Sequence, residues 1–200
     1  MNGFYKLGGP RFSSITGYCD QTTLGGGWTV IQRRMDGSVN FNKNWMEYRK
    51  GFGQLESEFW FGNDNIQDLT KASVAPNKST LMINMRMRGS KQPVYAKYST
   101  FQIGDEASQF KLEISNFSGN VSVHKLEHHN KLRFTTLDAD HDTHSGNCAS
   151  SGRGGWWYSG CFSANLNGHY NFGRDSTVDL YWDWSAKLQP TFVEMKIRRN

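Results

Sequence analysis

Three aspartates alternate along Asp138-Ala139-Asp140-His141-Asp142, and two cysteines follow at Cys148 and Cys161. Carboxylates spaced like this in a polar, glycine-containing loop suit a hard cation. Calcium takes six to eight oxygen ligands, and a short loop supplies them from side chains and backbone carbonyls together. A solvated acidic turn would carry the same residues, so the spacing alone leaves both readings open. The cysteines stand thirteen positions apart in a stretch rich in Gly, Ser and Asn. A disulfide between them would close a small loop beside the aspartates, contributing about 3 kcal/mol on the chain-entropy model. Cys19 is then left over, which points to a partner cysteine outside this sequence. The alternative is a cytosolic chain with three reduced thiols. Three N-x-S/T triplets, at Asn77, Asn116 and Asn120, agree better with secretion.

Other chemistries find less support. His124, His128 and His129 are close together, and His141 and His144 flank the aspartates. A zinc enzyme needs three protein ligands at fixed spacing, and the sequence has no H-E-x-x-H motif. G-x-S-x-G and P-loop motifs are absent as well, and no Asp/Glu pair sits in a recognisable acid–base context. These observations argue against an enzyme. Net charge is +5, from 23 basic and 18 acidic residues, and the basic ones are dispersed. Nucleic-acid binding needs a clustered basic footprint, so that class is disfavoured. No apolar run approaches the ~18 residues of a membrane helix.

The elements that would position the acidic loop are legible in part. Trp28 to Arg33 reads as a strand after three glycines, and Asp36-Gly37 as a turn. Asn44 with Glu47 forms a capping-box pattern for a short helix that Gly51 ends in a left-handed conformation. A second short helix is predicted from Asn63 or Asp64 to Lys71, with Ile66 and Leu69 on one face. Odd positions from Leu81 to Met87 are apolar and predict a half-buried strand. Phe110, Leu112 and Ile114 predict another. After about Thr135 periodicity fades until a last strand from Phe192 to Ile197. The order of elements indicates an α+β fold with an antiparallel sheet rather than a doubly wound one. Hydrophobic content is only 36%, but 14% of residues are aromatic, so the core is expected to be built from large rings. Trp156, Trp157 and Tyr158 beside the cysteines read as core rather than as a sugar-stacking surface.

Several long landmarks occur in order: GGGWTVIQRRMDGSVNFNKNWMEYRKGFG, EFWFGNDNI, the DADHD…GNCA loop, GGWWYSGC, NLNGHY and the closing EMKIR. Together they resemble the fibrinogen C-terminal domain, a family that includes fibrinogen chains, ficolins, tachylectins, angiopoietins and tenascins. The resemblance covers about residue 3 to 199. It implies one domain over residues 1–200: an N-terminal part, a central antiparallel sheet with short helices, and a loop-built, calcium-binding C-terminal part. It also implies an extracellular location, no catalysis, and an oligomerising segment upstream. Met1-Asn2-Gly3 reads as an expression start, so the domain is expected to be truncated at its N-terminus. The cysteine matching Cys19 normally pairs upstream in the family.

The resemblance assigns calcium to the side chains of Asp140 and Asp142 and the carbonyls of His144 and Gly146, with water completing the shell. It places a ligand pocket around Gly160-Cys161. There the sequence departs from the acetyl-binding lectins: Phe162 replaces a frequent histidine, Gly152 a frequent aromatic, and Ser176 and Thr177 an aromatic and a small residue. The expected function is therefore a secreted, lectin-like domain for innate pattern recognition. It would bind carbohydrate or acetylated groups on microbial or cell surfaces, with specificity altered by these departures. The alternative is a protein-binding domain that engages a cell-surface receptor or matrix partner.

Overall fold

The last strand of the chain lies in the middle of the sheet. The computed structural model describes residues 1–8, 15–71, 78–150, 153–161, 163–172 and 179–199. β1 (Gly3–Lys6) and β2 (Thr16–Asp20) form a hairpin that leads into β3 (Trp28–Arg34). The two-residue strands β4 (Phe52–Gly53) and β5 (Phe59–Trp60) pair with each other, and β5 also pairs with β3. β6 (Ser79–Met87), β7 (Pro93–Ile103) and β8 (Leu112–Gly119) make a meander. β9 (Pro190–Arg199) returns between β3 and β6, giving the order β1-β2-β3-β9-β6-β7-β8. The pairings among these described strands are all antiparallel. Two short helices, α1 (Trp45–Lys50) and α2 (Asn63–Lys71), make the fold α+β, mostly sheet.

α1 starts where the capping box predicts. Asn44 accepts the Glu47 N–H at 2.9 Å and the Glu47 carboxylate accepts the Asn44 N–H at 3.0 Å. Its end differs from expectation. Gly51 has φ 91° and ψ 159°, a mirror-extended conformation rather than a left-handed helical one. A Cβ there would lie 2.8 Å from the Trp60 and Phe61 carbonyls, so glycine is needed for close approach too.

Two strand expectations are corrected. β6, an interior strand between β9 and β7, is buried at every position from Ser79 to Ile83, and exposure appears only from Asn84 onward. Phe110 and Lys111 are not in a strand. Gln109 and Phe110 take φ of 53° and 48°, and the chain turns before β8 begins at Leu112. Phe110 packs against Trp45 at 5.4 Å, and its carbonyl accepts the Trp157 indole N–H at 2.7 Å.

The core is made of rings. Tyr48, Trp60, Phe134 and Trp157 meet with centroid separations of 5.1 to 6.2 Å. Edge-to-face and tilted pairs add about 0.5–1.5 kcal/mol each beyond area burial. This cluster joins α1 and the sheet to the C-terminal loops, which it supports from below. Glu58, fully buried, organises the turn after β3. Its carboxylate accepts the N–H groups of Met35, Asp36, Gly37 and Val39, and Arg34 stands 3.5 Å away.

Candidate functional site: the acidic loop and its disulfide

The first aspartate separates from the other two. Asp138 Oδ1 accepts the backbone N–H of Trp45 at 2.9 Å and the Thr136 hydroxyl at 2.7 Å. Trp45 opens α1, whose first amides have no intrahelical partner, so Asp138 ties the loop to the helix. His141 is held as well. Its Nδ1 lies 2.9 Å from the Phe134 carbonyl, and its ring meets Trp45 edge-on at 5.1 Å.

Asp140 is exposed and Asp142 half-buried. Asp140 accepts the Asp142 N–H at 3.3 Å, and Asp142 accepts His144 N–H on Oδ1 and Cys148 N–H on Oδ2, both at 2.8 Å. Burial raises the Asp142 carboxyl above its ordinary value, and the neighbouring Asp140 adds to the rise, against the two N–H bonds. His144 Nδ1 lies 3.1 Å from both the amide nitrogen and the carbonyl oxygen of Gly146. An amide N–H can only donate, so Nδ1 accepts it, and the Gly146 carbonyl keeps its lone pairs. The side chains of Asp140 and Asp142 and the carbonyls of His144 and Gly146 would offer oxygen donors only, the chemistry that suits a hard cation.

Asn147 braces this loop, a role that the sequence reading did not assign. Its Nδ2 donates to the Thr136 and Leu137 carbonyls at 2.9 and 3.3 Å, and its Oδ1 accepts the Ala149 N–H at 2.8 Å. The only signal was a polar residue beside Cys148.

Cys148 and Cys161 are disulfide-bonded, with Cα atoms 5.2 Å apart, and Cys19 is a buried free thiol. The bond brings Gly160 and Cys161 against the acidic loop. His144 and the two sulfurs offer atoms within 4.8 Å of one another, the geometry of a soft-metal cluster. Sulfurs in a disulfide are not thiolates, so this trio is no zinc site. Gly160 is exposed, and Cys161 is buried with φ 77°. Gly152, Phe162, Ser176 and Thr177, the other predicted pocket residues, lie outside the described residues.

Beneath the disulfide the chain is pinned by one imidazole. His129 is fully buried; its Nδ1 is 2.7 Å from the Trp157 carbonyl, and its Nε2 accepts the Ala164 N–H at 3.0 Å. A neutral ring with its proton on Nδ1 satisfies both. Burial lowers its pKa to about 4, although the Trp157 carbonyl pulls the other way. Trp157 and Ala164 are the two stems of the segment that carries Gly160 and Cys161, so His129 sets its span. In the sequence His129 is one of three neighbouring histidines, with nothing local to mark it. Trp156, Trp157 and Tyr158 are fully buried, as expected, while Tyr170 and Trp184 keep partial exposure.

Residues 4–200 match the family model described as "Fibrinogen beta and gamma chains, C-terminal globular domain". The chain is 43% identical over its whole length to fibrinogen-like protein A of Apostichopus parvimensis, covering 70% of that protein. It is 38% identical to human ficolin-3 over 93% of its length, covering 60% of that protein. The fibrinogen-like globe domain of human ANGPTL2 superposes with a TM-score of 0.85 at 36% identity, over 99% of this chain and 92% of that one. The chain belongs to the fibrinogen C-terminal domain family.

Proposed function

We propose that this chain is an extracellular, non-catalytic recognition domain, stabilised by calcium, that binds a carbohydrate or acetylated surface group beside its disulfide. The observation that carries the reading is the acidic loop. Asp140 and Asp142 are joined through the Asp142 N–H and lead into the His144 and Gly146 carbonyls, while Asp138, His141 and Asn147 of the same segment are engaged with the scaffold. Calcium would neutralise the Asp140–Asp142 repulsion and fix the loop, and Asp142, through the Cys148 amide, would fix the disulfide beside Gly160. Exposed glycine backbone at that point gives a small polar ligand room to approach.

The ficolin relationship favours a lectin-like ligand. Single-site affinity for such ligands is weak, and clustering of copies would supply avidity. The departures at Gly152, Phe162, Ser176 and Thr177 favour an altered sugar or acyl preference. The test is binding to an array of glycans and bacterial polysaccharides, with calcium and with chelator. Calcium-dependent signal competed by N-acetyl sugars establishes the acetyl reading, and competition only by other sugars establishes a repurposed pocket. Silence from a folded, calcium-loaded sample overturns the lectin reading in favour of a protein partner.

A further inference from the structure

Two glycosylation triplets fall within the described residues, Asn116-Phe117-Ser118 and Asn120-Val121-Ser122, and the fold treats them differently. We infer that Asn116 is an N-glycan acceptor whose glycan guards the open end of an edge strand, and that Asn120 is not an acceptor. The inference rests on the extracellular reading above.

β8 ends the sheet order, so among the described residues one side of it meets no further strand. Its first half is covered nonetheless. Leu112 N–H donates to the Leu132 carbonyl at 2.9 Å, the Leu112 carbonyl accepts Lys131 N–H at 2.8 Å, and Ile114 N–H donates to Asn130 Oδ1 at 3.0 Å. From Ser115 to Gly119 no such cover is found among the described residues. Uncovered edges template pairing with other chains, and proteins blunt them with charge, bulges or bulk. This stretch carries no charged residue.

Asn116 sits in that gap. It takes φ 56° between Ser115 and Phe117, which pair in register with Thr100 and Tyr98. Asparagine tolerates this left-handed conformation better than most residues. Phe117 is packed, stacked on His124 at 4.9 Å and against Tyr98 at 5.5 Å, while Asn116 and Ser118 both face solvent. No described residue hydrogen-bonds the Asn116 side chain. Asn120 has its amide engaged at both ends. Oδ1 accepts the Tyr95 N–H at 2.7 Å, and Nδ2 donates to the Pro93 carbonyl at 3.4 Å. It also lines a cleft of about 450 Å³ with Pro93, Tyr95 and Phe192. A sugar on its Nδ2 would have to break that clasp or fill the cleft.

The chemistry is transfer from a lipid diphosphate-linked oligosaccharide. The sugar C1–O bond to diphosphate breaks, a C1–N bond forms to Asn116 Nδ2, the amide loses a proton to base, and the lipid diphosphate leaves. A glycan is bulky and solubilising, so at Asn116 it would keep a second chain off the Ser115–Gly119 edge.

The test is expression of the whole chain behind a secretion leader in a eukaryotic cell. Peptide N-glycosidase converts an occupied Asn to Asp, and fragmentation of the peptide between Lys111 and Lys125 reads both sites. Asn116 is expected to be occupied and Asn120 bare. Ser118→Ala should abolish occupancy and raise the self-associated fraction several-fold by light scattering, and Ser122→Ala should change neither. Occupancy at Asn120 with Asn116 bare, or at neither, overturns the inference, and an unchanged association state in Ser118→Ala overturns the guarding role. Array binding by a protein with bare Asn116 would sink this inference alone, and an occupied Asn116 on a protein silent in the array would sink the lectin reading alone.

Discussion

Asp142 holds Cys148: its Oδ2 accepts the Cys148 amide at 2.8 Å, so the acidic loop and the disulfide share a single anchor. Replacing Cys148 and Cys161 together by serine should therefore do two things. Stability should fall by about 3 kcal/mol, the loop-closure contribution of a bridge this short. Calcium affinity should also fall, by about 10- to 100-fold, the scale on which outer-shell partners tune a metal site. Calorimetric titration with calcium reads the second effect, and unchanged affinity would mean that the loop stands without its bridge.

Asp140→Ala removes one proposed carboxylate ligand from an exposed position, so the apo fold should survive. A ligand at 100 times its Kd stabilises by about 2.7 kcal/mol. For a domain of this size that is about 5–10 °C in melting temperature. The wild type should lose this increment on adding chelator, whereas the variant should melt at the chelated temperature with or without calcium. A variant that still responds to chelator would place the cation elsewhere.

His129 gives a pH dependence of known sign. Its native pKa is depressed to about 4 from an ordinary 6.5, so the unfolded chain binds the extra proton first. Its contribution is full above pH 6.5, is lost as pH falls through that window, and levels off below about 4. At 1.36 kcal/mol per unit the loss is at most about 3 kcal/mol. Urea unfolding at steps from pH 7 to 4.5 should show this slope. In His129→Gln the slope should shrink while baseline stability drops, since glutamine carries no titrating ring to span Trp157 and Ala164.

Glu58→Gln should be among the most damaging single changes outside the loops. It removes the charge that balances the buried Arg34 and weakens acceptance of four amides in the turn after β3. Breaking one partner of a buried pair costs about 3–5 kcal/mol. Thermal or denaturant unfolding checks it, and a loss under 1 kcal/mol would show that solvent reaches Arg34.

What could be read from the sequence was whatever is local. The α1 capping box, the α2 limits and the Trp28 strand depend on neighbours within a few positions, and each forms where its pattern lies. The burial of β6 on its even positions is not local information, because its place inside the sheet is set by pairing with β9, far away in the chain. Phe110 alternates correctly with Leu112 and Ile114, yet Trp157 and Trp45 draw it into the core instead. In the site, the cysteine pair is legible from its spacing, whereas the aspartate spacing alone leaves a cation loop and a solvated turn both open. Asn147 and His129 are not legible, because their work is to join backbone segments that only folding brings together.

The central place of β9 also has a bearing on biosynthesis. β3 and β6 are made early, but the strand that joins them runs from Pro190 to Arg199. Until it emerges, both present unpaired edges, and neither half of the sheet is closed against the other. The domain thus cannot complete its core progressively during translation. Non-local pairing of this kind is slow and exposes the chain to aggregation while it waits. A stop codon that removes only β9 would leave every proposed ligand residue in place and still yield a chain unable to present them.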